Sequence, residues 1–519
     1  MNNQGIGTWI HRRRVKSAGR VALVHGGVGI AYEQLAERID RLANGLAQRG
    51  IGEGDRVAYL GENHPSFLET LFAAGLLGAV FVPLNTRLAP PEIRHALSDS
   101  GARILVHGPE LTDAATVGSA GTSVTHRLVT SDDDPPTGDV GGPVVVVESL
   151  DAVVAASAAD HRDVPVGLTD PAMILYTSGT TGRPKGALLT HGNVTWNCMN
   201  VLVDYDVTGD TVALMISPMF HVASLTMGVL PTLLKGGTVV LEARFDPAQV
   251  LKLIEQHRVT SMSGVPTTYQ MLSEHPAWAS TDLGSLRTLT CGGSAVPLRV
   301  IDAYEERGLA FTGGYGMTET APGATSLQPR YSRAKAGSAG LPHFFTDVRI
   351  VDANGEIAPA GRAGEIQIQG PNVIPGYWQR PDATAESFAD GTWFRSGDIG
   401  HVDDDGFLHI SDRLKDMIIA GGENVYPAEI EQIIMELDAV SGVAVVGVPD
   451  RRWGEVPHAF IQLKDGRTLA EGAIQQHLDG RLARYKIPRT VVVVDELPRT
   501  PTGKIRKQDL RKTPETPQA

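Results

Sequence analysis

The densest chemistry in the chain lies in Tyr176-Thr-Ser-Gly-Thr-Thr-Gly-Arg-Pro-Lys-Gly186. An apolar run ends there in hydroxyls, glycines and one lysine. Glycines such as Gly179 let backbone N–H groups approach phosphate oxygens closely. The hydroxyls of Thr177, Ser178, Thr180 and Thr181 and the ammonium of Lys185 add donors and charge. No Gly-x-x-x-x-Gly-Lys register fits, so this is not a Walker loop. By composition alone the segment reads equally as a phosphate cradle and as a flexible turn.

The segment as written is more specific than its composition. It resembles the phosphate loop of the adenylate-forming superfamily, which holds acyl- and aryl-CoA synthetases, luciferases and peptide-synthetase adenylation domains. Further segments match in the order that family requires. Gly314-Tyr-Gly-Met-Thr-Glu319 resembles its nucleotide signature. On that resemblance Gly314, Tyr315 and Gly316 bind nucleotide, with the ring of Tyr315 against adenine. Thr318 donates to the α-phosphate, and Glu319, a hard oxygen ligand, takes Mg²⁺ together with Thr177. Cys291-Gly-Gly-Ser-Ala295 is similar to the loop on the other adenine face, which implicates Gly292, Gly293 and Ser294; alone it reads equally as a strand-to-helix turn.

Trp393-Phe-Arg-Ser-Gly-Asp398 resembles the segment whose aspartate accepts the ribose hydroxyls, a role that falls to Asp398. Ser411-Asp-Arg-Leu-Lys415 resembles the inter-domain hinge, with Arg413 on ribose or phosphates and Lys415 as pivot. Ala420-Gly-Gly-Glu-Asn-Val-Tyr-Pro-Ala-Glu429 is similar to the loop lining the pantetheine tunnel. Gly421 and Gly422, without a Cβ, would let a slim thiol arm pass. Asn424 stands where plant coumarate ligases carry a glutamine. Pro501-Thr-Gly-Lys-Ile-Arg506 matches the catalytic lysine motif, which makes Lys504 the catalytic lysine. The resemblance runs from about Tyr32 to Lys507.

The resemblance also places the acyl pocket. Its walls come from His221, Ala223, Val265, Gly292, Thr320 and Ala321 and their neighbours, with His221 also gating the thiol path. These are mostly small or apolar, with no lysine or arginine for a second carboxylate, which argues against malonate. Ala223 replaces the tyrosine of plant coumarate ligases. Asn3–Trp9, Asn193–Cys198 and Ser338–Asp347 look most like bacterial feruloyl-CoA synthetases, with medium- to long-chain fatty acyl-CoA synthetases as neighbours. The implied reaction is ATP- and Mg²⁺-dependent activation of ferulate or another hydroxycinnamate as an acyl-adenylate, followed by transfer to CoA. Activation of fatty acids, or loading of a carrier protein in trans, stands as the alternative.

The elements that must position these residues are alternating helices and strands. Leu35, Ile39, Leu42 and Leu46 give Tyr32–Gln48 a helical spacing. Strands are expected at Arg56–Leu60, Val80–Pro83 and Ile104–His107, with helices starting near Phe67 and Pro91. Leu111–Val164, rich in small residues, reads as a solvated surface excursion. Strands at Ala172–Tyr176, Val212–Ser217, Thr238–Leu241, Leu286–Thr290 and Ala310–Thr312 run into glycine-bearing loops, the α/β pattern in which strand ends carry chemistry. Beyond Asp412 come a helix at Ala428–Leu437 and strands at Val443–Val448, Ala459–Leu463 and Val491–Val494. The fold class is therefore α/β. By resemblance it has a large N-terminal AMP-binding domain of packed α/β subdomains, 1–411, and a small mobile α+β lid, 412–519, hinged near Asp412–Lys415.

The chain is 519 residues long, too long for one typical domain. Lys and Arg number 46 against 59 Asp and Glu, a net charge of −13, which opposes sequence-independent nucleic-acid binding. Only Cys198 and Cys291 are present, so neither a disulfide framework nor a cysteine zinc site is expected, and a reducing cytoplasm is the natural compartment. The start, Met1–Arg14, is polar and basic, unlike a secretory signal. Phe67–Leu84 is the best candidate membrane span, but it carries Glu69 and Pro83 and is short; it reads as a buried helix running into a strand. The polar tail from Thr513 reads as frayed. Oligomeric state is not legible.

Overall fold

The structure, a computed structural model, describes residues 3–130, 145–177, 184–293, 296–413, 416–420, 423–450, 453–479, 481–482, 484–499 and 505–511. The chain forms two compact units. The first comprises Met1–Val348 and Ile368–Phe394, the second Arg349–Gln367 and Arg395–Ala519. The fold class is the mixed α/β one expected.

Two large sheets organise the first unit. One runs in the order Gly376–Tyr377, Lys185–Thr190, Pro171–Thr177, Val80–Pro83, Arg56–Leu60, Ile104–His107, His126–Val129, Val146–Ser149. The other runs Leu341–Pro342, Gly323–Leu327, Phe311–Gly316, Thr288–Cys291, Ser261–Gly264, Val212–Met215, Thr238–Leu241, Val21–His25, Val28–Ala31. From Phe311–Gly316 to Val21–His25 all neighbours in this second sheet are parallel. The loops after Met215, Gly264, Cys291 and Gly316 therefore leave the same edge, as the rule for open α/β sheets requires.

Helix Tyr32–Gln48 starts where Gln34 Oε1 reaches back to the Ala31 N–H at 2.9 Å, and buries Leu35, Ile39, Leu42 and Leu46 completely. Helix Pro65–Leu76 opens with proline at its first position and is buried on every face, which is why its sequence lacks amphipathic spacing. Its one charge, Glu69, is fully buried and held by Arg38, Nε to Oε1 at 2.6 Å. Burial raises the Glu69 pKa, opposed by that guanidinium. The expectation of a buried helix running into strand Val80–Pro83 is met. No helix among the described residues is long and apolar enough to cross a membrane.

The expected surface excursion at 111–164 is corrected. Helix Thr112–Ser119, strand His126–Val129, strand Val146–Ser149 and helix Leu150–Ala156 all lie within it. Both strands extend the first sheet in parallel register, with Leu128 fully buried. Short apolar runs between small residues suffice when a waiting sheet edge supplies the hydrogen bonds. The acidic, proline-bearing stretch 131–144 lies outside the described residues.

The second unit holds strand Leu408–Arg413 and most of strands Asp347–Val351, Gly364–Gln369 and Trp393–Val402. The tight turn Asp403–Gly406 joins the last two, with Gly406 at φ 84°. A further sheet pairs Val440–Asp450 with Gly454–Leu463, to which Thr490–Val494 adds in parallel. Helix Pro427–Ile434 buries Ile430 and Ile434 in this unit's core; it ends before Leu437.

Candidate active site

In the first unit, strands Pro171–Thr177 and Lys185–Thr190 are antiparallel and place Thr177 opposite Lys185 at the mouth of the glycine-rich segment. Ser178, Gly179, Thr180 and Thr181 lie outside the described residues. Thr177 Oγ1 lies 3.4 Å from Glu319 Oε1, so the structure brings the phosphate-loop candidate and the candidate metal ligand together. The same Oε1 accepts the Tyr377 hydroxyl at 2.9 Å. Lys185 Nζ sits 5.4 Å from the centroid of the Tyr377 ring. Burial raises the Tyr377 pKa, and the Glu319 charge adds to it, so the phenol stays a donor.

Glu319 is buried, and its backbone oxygen accepts the Ile374 N–H at 2.9 Å. Its Oε2 carries no hydrogen bond among the described residues. A carboxylate with one oxygen braced and one open, beside a threonine hydroxyl, is a hard donor set of the kind Mg²⁺ takes. The residues present fit that ion.

Gly314, Tyr315 and Gly316 form the end of strand Phe311–Gly316, with Tyr315 partly buried. Thr318 and Thr320 lie in the one-turn helix that follows. Thr320 is fully buried, its hydroxyl engaged with the Met317 and Pro322 carbonyls. Ala321 is buried too, and its oxygen accepts the Thr226 hydroxyl at 2.8 Å. Gly292 and Gly293 follow strand Thr288–Cys291, and Gly293 lies 3.8 Å from Val265 as a Cβ would measure it. Val265 and Ala223 are exposed, and His221 is half-buried with its ring on Phe220 at 4.7 Å. Ser294 lies outside the described residues. His221, Val265, Gly292 and Tyr315 thus all come from the one edge of the nine-stranded sheet.

In the second unit Asp398 is buried on Trp393–Val402 and is the register partner of Arg413. Asn424 lies on strand Glu423–Val425, paired with Ile419. Lys415, Gly421, Gly422 and Lys504 lie outside the described residues.

Several supporting residues were not legible in the sequence. Tyr377 is one. Asp99 is another: it takes the Tyr176 hydroxyl at 2.9 Å and Arg380 at 2.8 Å, bracing the strand that ends in Thr177. Asn63 accepts the Met219 N–H at 2.8 Å and donates to the Ser217 and Glu242 carbonyls, fixing the turn that carries His221. Asn372 donates to the Thr320 and Gly323 carbonyls at 2.7 Å each. After His221 the chain makes a π-helical turn, Ser224–Val229, a geometry often found at functional sites. None of these contacts follows a motif, because the partners lie about 50 residues apart or more, which leaves no local spacing. Cys198 and Cys291 are buried with raised thiol pKa values, caused by that burial, so neither is a nucleophile.

Thr177, Lys185 and the braced carboxylate of Glu319 thus stand together at strand ends of an α/β fold. The chain belongs to the AMP-binding enzyme family: residues 10–378 match the model of that name, and 429–504 match the AMP-binding enzyme C-terminal domain. It is 51% identical over 515 residues to a feruloyl-CoA synthase of Amycolatopsis sp, covering 99% of each chain. It is 39% identical over 509 residues to a long-chain-fatty-acid–CoA ligase of Mycobacterium tuberculosis, covering 97% of each. Among solved structures, the o-succinylbenzoate coenzyme A synthetase of Bacillus subtilis is similar at 31% identity. Its complex with the acyl-adenylate intermediate aligns with a TM-score of 0.86 over 98% of this chain and 99% of that one. Its complex with ATP and magnesium ion gives 0.85, over 97% and 99%.

Proposed function

We propose that the protein is an ATP-dependent carboxylate–CoA ligase that activates ferulate and related hydroxycinnamates through an acyl-adenylate. The 51% identity to a feruloyl-CoA synthase, spread over 99% of the chain, is the observation that carries this reading. A carboxylate is a poor acyl donor because oxide would have to leave. Attack of the carboxylate on the α-phosphorus of ATP turns that oxygen into part of AMP, with pyrophosphate leaving. The thiol of CoA then displaces AMP from the acyl carbon.

Both partners of the first step are anions, so the site must supply positive potential. Lys185 and the hydroxyl of Thr177 supply part of it. Mg²⁺, held by Glu319 and Thr177, would neutralise phosphate charge when bound. Thr318 donates to the α-phosphate, and Tyr315 with Gly292, Gly293 and Ser294 encloses the adenine. Asp398 takes the ribose hydroxyls, with Arg413 beside them, and Lys504 acts in adenylation. The division 1–411 and 412–519, pivoting at Lys415, would bring Gly421, Gly422 and Asn424 into use for CoA in the second step. His221, Ala223, Val265, Thr320 and Ala321 belong to the acyl region. A cytoplasmic location suits a pathway that consumes ATP and CoA.

The test is thioester formation from ATP, Mg²⁺ and CoA with ferulate, coumarate, caffeate, octanoate and palmitate in parallel. The proposal expects hydroxycinnamoyl-CoA and AMP to dominate. A preference for palmitate would transfer the same chemistry to fatty acids, the reading that the Mycobacterium tuberculosis relative supports. Acid-dependent pyrophosphate release with no CoA thioester formed would point to a carrier protein.

A further inference from the structure

Lys185 and Glu319 both contact the side chain of Tyr377 and make no ion pair with each other. An ion pair between them would neutralise both charges. The ring face of Tyr377 receives the ammonium of Lys185, with Nζ 5.4 Å from the centroid, and its hydroxyl donates to Glu319 Oε1 at 2.9 Å. The tyrosine is itself fixed. Strand Gly376–Tyr377 pairs with Lys185–Thr190, setting Tyr377 opposite Ala187. The Tyr377 N–H is bonded to Thr384 Oγ1 at 2.9 Å, and the next N–H, of Trp378, to the Gly186 carbonyl at 2.7 Å. The segment also holds the Glu319 backbone through the Ile374 N–H. One short stretch, 374–378, therefore sets both the carboxylate and the lysine.

We propose that Tyr377 is a positioning residue that holds Lys185 and Glu319 apart, keeping the ammonium for the phosphates of the nucleotide and Glu319 Oε2 for the divalent cation. The hydroxyl and the ring do separate work. The hydroxyl occupies Oε1, and Oε2 carries no hydrogen bond among the described residues. The ring gives the ammonium a resting place that a phosphate can outcompete, since a cation–π contact is weaker than a charge-assisted hydrogen bond. The proposal rests on the assignment of ATP and Mg²⁺ to this site.

Two variants separate the roles, and binding rather than turnover reads them out. ATP affinity is measured calorimetrically without any carboxylic acid, once with EDTA and once with excess Mg²⁺, for the wild type, Tyr377→Phe and Tyr377→Leu. Melting curves establish that each variant is folded, and Tyr377→Phe keeps the ring volume if Tyr377→Leu does not fold. In the wild type Mg²⁺ tightens ATP. In Tyr377→Phe that tightening falls by roughly tenfold, the weight of one hydrogen bond to a charged group, while metal-free affinity stays within about twofold. In Tyr377→Leu the metal-free affinity also drops, by about threefold to tenfold. Unchanged Mg²⁺ tightening in Tyr377→Phe overturns the proposal. So does equal weakening of both variants under both conditions, which would make Tyr377 plain packing. A wild type that binds no ATP at all would instead overturn the nucleotide assignment itself.

Discussion

Gly316 and Pro322 approach so closely that residue 316 has no room for a side chain: a Cβ there would lie 1.6 Å from the Pro322 carbonyl oxygen. That oxygen cannot retreat, because it accepts the Met317 N–H at 3.0 Å and the Thr320 hydroxyl. The turn carrying Thr318 and Glu319 is closed by this contact. Gly316→Ala must therefore open it. The variant is expected to retain less than about 1% of wild-type pyrophosphate release, the scale of losing a positioned charged group. Its far-ultraviolet circular dichroism should stay close to wild type, since the clash is local.

Asn63 ties the end of one sheet to the turn before His221 through three hydrogen bonds, to Ser217, Met219 and Glu242. Asn63→Ala removes the partner of two partly buried carbonyls and of the buried Met219 N–H, at a cost of about 2–4 kcal/mol. Asn63→Asp should be worse, because a carboxylate would face two carbonyl oxygens. Thermal melts check both, with Asn63→Asp expected to melt lower than Asn63→Ala.

Long, strongly patterned elements are legible in the sequence. Tyr32–Gln48 is read correctly to both ends because Leu35, Ile39, Leu42 and Leu46 fall on one face and all are buried. His126–Val129 and Val146–Ser149 are not, because four-residue strands become strands only when a sheet edge receives them. The chemistry-bearing motifs stand out in the sequence because their characteristic residue types are contiguous. Thr177, Lys185 and Glu319, from two of those motifs, lie together in the structure. Tyr377, Asp99 and Asn63 act on the site from elements far away in the chain, and nothing around them in the sequence marks that role.

Three desolvated histidines, His107 and His191 buried and His64 half-buried, set how acid destabilises the protein. Burial lowers His64, His107 and His191 to about 4, and the neighbouring His25 adds to the effect at His64. His191 Nδ1 accepts the Ile6 N–H at 3.2 Å, which needs the neutral ring. Each folded-state pKa lies below the unfolded value of about 6.5, so between roughly pH 6.5 and 4 the unfolded chain binds more protons. Stability from these groups is present above pH 6.5 and is lost as pH falls toward 4. Each contributes a slope of up to about 1.4 kcal/mol per pH unit. Potentiometric proton uptake on unfolding at pH 5 should fall by about one proton in His191→Asn. An unchanged uptake would contradict the assignment.

Lys504→Ala should separate the two half-reactions. Adenylation, measured as ferulate-dependent pyrophosphate release, is expected to drop by about a hundredfold or more. Conversion of preformed feruloyl-adenylate to feruloyl-CoA should stay within a few-fold of wild type. Equal losses in both steps would contradict a lysine that serves only the first.

A hydroxycinnamate carboxylate that is activated on AMP before CoA is involved must support exchange of labelled pyrophosphate into ATP without CoA. Measured with Mg²⁺, exchange is expected to depend on ferulate, with palmitate supporting far less. No exchange until CoA is added, or exchange driven by palmitate and not by ferulate, would contradict that activation.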